Sequence, residues 1–251
     1  MRTILLNCYQ ITGYVLAGLL IILGESGELT ADTKLIIDAK QEKFVVLALG
    51  DSLTAGFGVD EEYSFPSRIQ VKIDNEKLGY KIVNAGINGD TTAGGVRRIN
   101  WLMKHKPRVV ILALGANDGL RGLSVDEMRS NLESMIRISH ENNARVLLAG
   151  MKALPNYGTD YVERFESVYP ELAKKYELVY LPFLLEGVAG VREHTRLDGL
   201  HPTASGYKIV ADLVLSLIHI SEPTRRYAIA YGVLWVEKKK GGGGGGGGGG
   251  G

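Results

Sequence analysis

The chain has 251 residues, 45% hydrophobic and 23% charged, an ordinary composition for a folded domain with a sizeable core. Its 29 Lys and Arg nearly balance 28 Asp and Glu, so the net charge of +1 points to neither nucleic acid nor another acidic partner. The single cysteine, Cys8, excludes an internal disulfide framework and any cysteine-rich zinc site.

Residues 3–24 carry no charge, and their denser apolar part is ITGYVLAGLLIILG at 11–24. That pattern suits a secretory signal core or a membrane anchor. A buried N-terminal helix is the alternative, disfavoured by Thr12, Gly13 and the lack of a polar face. No A-x-A cleavage site precedes residues 25–27, so cleavage and anchoring both stay open. Residues 1–24 are thus expected to make the protein periplasmic, secreted or membrane-anchored. Residues 25–43 are mixed and polar, and read as a linker.

From residue 44 onward, short apolar runs alternate with amphipathic stretches. The predicted strands are FVVLAL (44–49), YKIVNA (80–85), RVVILAL (108–114), ARVLLAG (144–150) and ELVYLP (177–182). Consecutive apolar positions, rather than alternating ones, suit strands covered on both faces. Helical spacing is found over 66–78, 92–105, 125–142 and 160–176, with a last helix starting near Thr203. Pro66 suits a first turn, and Ser124 with Glu127 three residues on reads as a capping box. Strands alternating with helices predict βαβ units, hence one α/β domain over 44–214: a three-layer sandwich with a mainly parallel five-stranded sheet.

The C-terminal stretch differs. Residues 241–251 are all glycine, and LSLIHISEPTR (215–225) resembles the translation of a sequencing adapter. A run of G nucleotides would translate as polyglycine, so 215–251 is expected to be read-through; a genuine flexible tail is the rival reading. Without it the chain is slightly acidic.

In open α/β sheets, ligands bind beyond the carboxyl ends of the strands. Four post-strand loops are polar and glycine-rich. The first, Gly50-Asp51-Ser52-Leu53-Thr54, places a serine just beyond a strand, with two residues between. A helix-capping serine explains it equally well, and Thr54 breaks the G-x-S-x-G elbow. In the second (84–92), Gly89 can offer an unshielded N–H, or the loop can simply lead into a helix. In the third, Gly115-Ala116-Asn117-Asp118-Gly119, Asn117 can donate its amide to a developing oxyanion or form an Asx-turn. The last is Asp198-Gly199-Leu200-His201-Pro202. Of the five histidines, only His201 sits in a compact turn with a carboxylate three residues before it. That spacing lets Asp198 reach one ring nitrogen and leave the other as a base.

Taken in order and spacing, these four blocks resemble those of SGNH (GDSL-type) hydrolases, over about residues 44–214. The branch most resembled contains bacterial arylesterases, acyl-thioesterases and lysophospholipases, with supporting matches at 117–122, 154–158 and 169–174. The resemblance implies a flavodoxin-like fold and a serine hydrolase acting on small-molecule esters, with no metal or organic cofactor. It makes Ser52 the nucleophile, His201 the base and then acid, and Asp198 the orienting carboxylate. The oxyanion hole would combine the N–H groups of Ser52 and Gly89 with the Asn117 amide.

Asp51, Leu154 and Tyr157 are the expected substrate contacts, and 182–188 reads either as acyl-pocket wall or as core packing. Aryl esters, short- to medium-chain esters, thioesters and lysophospholipids are all candidate substrates. Rival readings are an acyltransferase or a carbohydrate O-acetylesterase on the same scaffold, or a non-catalytic flavodoxin-like binding module. The last lacks a G-x-x-x-x-G-K-[ST] or G-x-G-x-x-G motif after a strand. Oligomeric state is not readable from the sequence, and membrane association rests on residues 3–24.

Overall fold

The computed structural model describes residues 43–221. The expected export or anchor segment, the linker up to residue 42 and the tail beyond 221 lie outside the described residues. Five strands form: β1 (Phe44–Gly50), β2 (Tyr80–Gly86), β3 (Val109–Ala113), β4 (Arg145–Ala149) and β5 (Val179–Leu181). Their order is β2-β1-β3-β4-β5, and every pairing is parallel. Seven helices accompany them among the described residues: α1 (Ser52–Ala55), α2 (Phe65–Asn75), α3 (Thr92–Leu102), α4 (Ala116–Leu120), α5 (Val125–Glu141), α6 (Thr159–Lys175) and α7 (Ala204–Ser221). Helix α2 packs with α7, while α3 packs on α5 and α5 on α6. The predicted α/β class and parallel five-stranded sheet are what the chain forms.

The sheet centre follows from the apolar runs. Val46 to Leu49, Val109 to Leu114 and Val146 to Ala149 are all buried. Helix starts follow local hydrogen bonding: the Ser64 and Ser124 hydroxyls accept from the N–H groups of Ser67 and Glu127, so the Ser124 cap forms as expected.

Element ends depart further from expectation. Lys77, Lys106, Asn143 and Glu177 adopt φ of 53°, 49°, 59° and 51°, each in the turn before β2, β3, β4 or β5. Left-handed backbone costs a residue with a Cβ roughly 1–2 kcal/mol, so three of these turns have no sequence signature. They stop α2 at Asn75 rather than 78, and they begin β5 only at Val179. Pro182, which has no N–H to give, follows that three-residue strand. Helix α7 continues past 214, because Leu215 and Ile218 extend its buried stripe of Tyr207, Val210, Ala211 and Val214. Leu184 and Val188 are fully buried, so core packing accounts for that part of 182–188.

All carboxyl ends of a parallel sheet lie along one edge. Strand β1 has β2 on one side and β3 on the other, so connections leaving β1 and β3 diverge there. That switch point is where ligand sites form in this topology.

Candidate active site

The site begins with the turn after β1. An added Cβ on Gly50 would lie 1.9 Å from Thr54 Oγ1, so only glycine lets α1 start this close to the strand. Asp51 caps the helix, its Oδ1 accepting from Leu53 N at 2.9 Å. The expected alternative of a capping Ser52 is therefore not what forms. Asp51 takes that task, and the Ser52 hydroxyl is left for another partner.

That partner is His201, whose Nε2 lies 2.9 Å from Ser52 Oγ. On the far side of the ring, Nδ1 lies 2.9 Å from Asp198 Oδ2. An ionised carboxylate only accepts hydrogen bonds, so Nδ1 carries the proton and Nε2 accepts from the serine hydroxyl. Asp198 Oδ1 accepts from the N–H groups of Leu200 and His201, at 2.9 and 3.0 Å. These two backbone bonds, then the His201 side chain, lower its pKa from 3.8 to about 2. Asp198 therefore stays ionised at neutral pH. An isolated antiparallel bridge, Thr195 with Pro202, and a bond from Arg196 N to His201 O hold this loop. The Phe57 ring packs 4.6 Å from the imidazole centroid, and the Arg196 guanidinium donates to Gly58 O.

Gly89 sits third in a four-residue turn closed by Asp90 N donating to Ile87 O, and its φ of 73° suits glycine. Its carbonyl accepts from Arg121 at 2.8 Å. Neither Gly89 N–H nor Ser52 N–H donates to another backbone group among the described residues. Asn117, at the start of α4, directs Nδ2 toward Asp90 O at 3.0 Å and Asp51 Oδ2 at 3.3 Å.

Asp51 corrects one expectation. It is fully buried and so contacts no substrate; its carboxylate supports Leu53 and Asn117 instead. Burial lifts its pKa from 3.8 to about 7, against the lowering effect of those two hydrogen bonds. Leu154 and Tyr157 are exposed. The short helical turn Pro155–Tyr157 leans on the α4 loop: Tyr157 OH donates to Leu120 O at 3.0 Å. Among the described residues, no group of three or more His, Cys, Asp or Glu is arranged to hold a metal ion.

Residues 48–209 match the family described as GDSL-like Lipase/Acylhydrolase. The chain belongs to this family. The GDSL-like hydrolase is 40% identical over 158 residues to the esterase TesA of Pseudomonas aeruginosa, covering 62% of the chain and 79% of that relative. It is 36% identical over 168 residues to the thioesterase 1/protease 1/lysophospholipase L1 of Escherichia coli K12, covering 66% and 79%. The solved SGNH-hydrolase family esterase AlinE4 superposes with a TM-score of 0.60 at 38% identity, covering 72% of this hydrolase and 98% of AlinE4. The protein is an ester-hydrolysing enzyme of the SGNH fold, in a family that acts on small-molecule esters.

Sequence reading missed two groups of residues at this site. Asp90 and Arg98, eight positions apart, form an ion pair beneath the site, and no local pattern announces it. Phe57 lies 144 positions from the histidine it packs against, as only the fold reveals.

Proposed function

We propose that the hydrolase cleaves carboxylic esters through an acyl-enzyme on Ser52. The observation that carries this is the continuous chain from Ser52 Oγ to His201 Nε2 and from His201 Nδ1 to Asp198, 2.9 Å at each link. His201 takes the hydroxyl proton as Oγ bonds to the ester carbonyl carbon, and the carbonyl oxygen gains the negative charge. Ser52 N–H, Gly89 N–H and the Asn117 amide stabilise that oxygen. The longer Asn117 contact, 3.3 Å to Asp51, is the one exchanged for it. Collapse expels the alcohol, which takes the proton from His201. Water then attacks the acyl-enzyme with His201 again as base, releasing the acid and restoring Ser52. The negative Asp198 steadies the imidazolium formed in both halves.

The acyl or leaving group would lie along the apolar rim of Phe57, Ile87, Leu154, Tyr157 and Leu200, all exposed beside these loops. Such a rim favours aryl and short- to medium-chain acyl esters, acyl-thioesters and lysophospholipids. The uncharged run at residues 3–24 supports action outside the cytoplasm. The test is Ser52→Ala assayed on p-nitrophenyl esters of graded length, an acyl-thioester and a lysophospholipid. The variant should melt like the parent and lose hydrolysis of every ester; retained hydrolysis by the purified variant contradicts the proposal.

A further inference from the structure

Resting on that reading of Ser52, Gly89 and Asn117, we propose that Arg98 is a positioning residue that holds the three oxyanion donors in register. Arg98 lies on α3, behind the reacting groups, with its side chain 16% exposed. Its guanidinium donates to Gly50 O at 2.9 Å, to Ala85 O at 2.5 Å and to Asp90 Oδ2 at 2.8 Å. These acceptors belong to the segments that carry the donors. Gly50 closes β1 two residues before Ser52. Ala85 is the penultimate residue of β2, just before the Gly89 loop. Asp90 directly follows Gly89, and its own carbonyl accepts from Asn117 Nδ2.

A simple ion pair would satisfy Asp90 and leave the two strand ends alone. This guanidinium also ties β1 to β2 at their carboxyl ends, across the point where Ile87 N donates to Gly50 O. That task needs a planar fork of donors, which an ammonium on a flexible stem does not supply. Arg121 holds the same loop from outside through Gly89 O, but its bond is exposed and reaches neither strand. The donors matter only once charge reaches the carbonyl oxygen, so a loosened register should weaken the transition state and spare substrate binding.

The experiment is steady-state hydrolysis by Arg98→Lys, with melting curves and stoichiometric fluorophosphonate labelling to count folded sites. Arg98→Lys should lower kcat about 10- to 100-fold with KM within about twofold, as expected for small misplacements at a reacting centre. Truncation at Arg98 alone would leave Asp90 as a buried unpaired carboxylate. The second variant therefore combines Arg98→Met with Asp90→Asn, and it should show the same kcat-only loss. Parental kcat in either folded variant, or a loss confined to KM, overturns the role given to Arg98. Hydrolysis that survives Ser52→Ala in the parent would instead overturn the triad reading, and this proposal with it.

Discussion

Ser52 and His201 meet at 2.9 Å, but the structures behind them differ. Behind Ser52 lies a buried polar network: Asp51 is fully enclosed, Asn117 bridges it to Asp90, and Arg98 anchors Asp90 to two strand ends. Behind His201 lies a surface loop in which Asp198 stays exposed and Leu197 is wholly in solvent. The nucleophile and the oxyanion donors are built into the sheet edge, where displacing one group disturbs a core. The acid–base pair is carried by the loop that the Thr195–Pro202 bridge and a few backbone bonds hold. Changes in the network behind Ser52 (Asp51, Asn117, Asp90, Arg98) should move stability and rate together, and changes on the His201 side should move rate almost alone.

The largest effect is expected from the exposed side. His201→Ala should lower kcat by about 10³-fold or more, because a serine hydroxyl without a base is a poor nucleophile. Its melting temperature should stay close to the parent's. A large fall in melting temperature would break the contrast. Asn117→Ala should lower kcat by about 10²–10³-fold, the usual effect of losing one oxyanion donor, with a smaller change in KM. Here the melting temperature should fall as well, since Asp51 and Asp90 O both lose a buried donor.

Asp51→Asn sharpens the contrast through pH. The folded pKa of about 7 exceeds the ordinary 3.8, so the folded protein keeps a proton that the unfolded chain releases between these values. Stability contributed by that proton is complete below 3.8 and is lost as pH rises to about 7. Asparagine removes the ionisation. Thermal melts should therefore show variant minus parent stability rising from acid to neutral pH, then levelling off. The same variant should lose turnover, because its carbonyl serves Leu53 N–H and its amide then faces the amide of Asn117. A difference in melting temperature that stays flat across pH would contradict the burial of an ionisable Asp51.

How much of this could be read in advance depended on how local each feature is. Strands β1, β3 and β4 were legible because residues covered on both faces must be apolar in succession. The Ser124 cap was legible because its partner stands three residues away. The helix stops at Lys77, Lys106 and Glu177 were not, since a left-handed lysine or glutamate is imposed by packing rather than by residue type. At the site, Ser52, Gly89, Asn117, Asp198 and His201 stand out in the sequence only as an ordered set, each ambiguous alone. The sequence does not show that the Asp51 carboxyl turns inward to Leu53 and Asn117 rather than toward a substrate. Arg98 escaped notice because its three partners come from segments brought together only by the sheet.

The most direct test of the account is labelling by a fluorophosphonate with peptide mapping by mass spectrometry, while ester hydrolysis is followed in parallel. One adduct should form, on Ser52, with hydrolysis lost in proportion to labelling, and no comparable adduct should form on His201→Ala. An adduct on another residue, or hydrolysis that persists once Ser52 is fully labelled, would contradict the assignment of Ser52 as nucleophile.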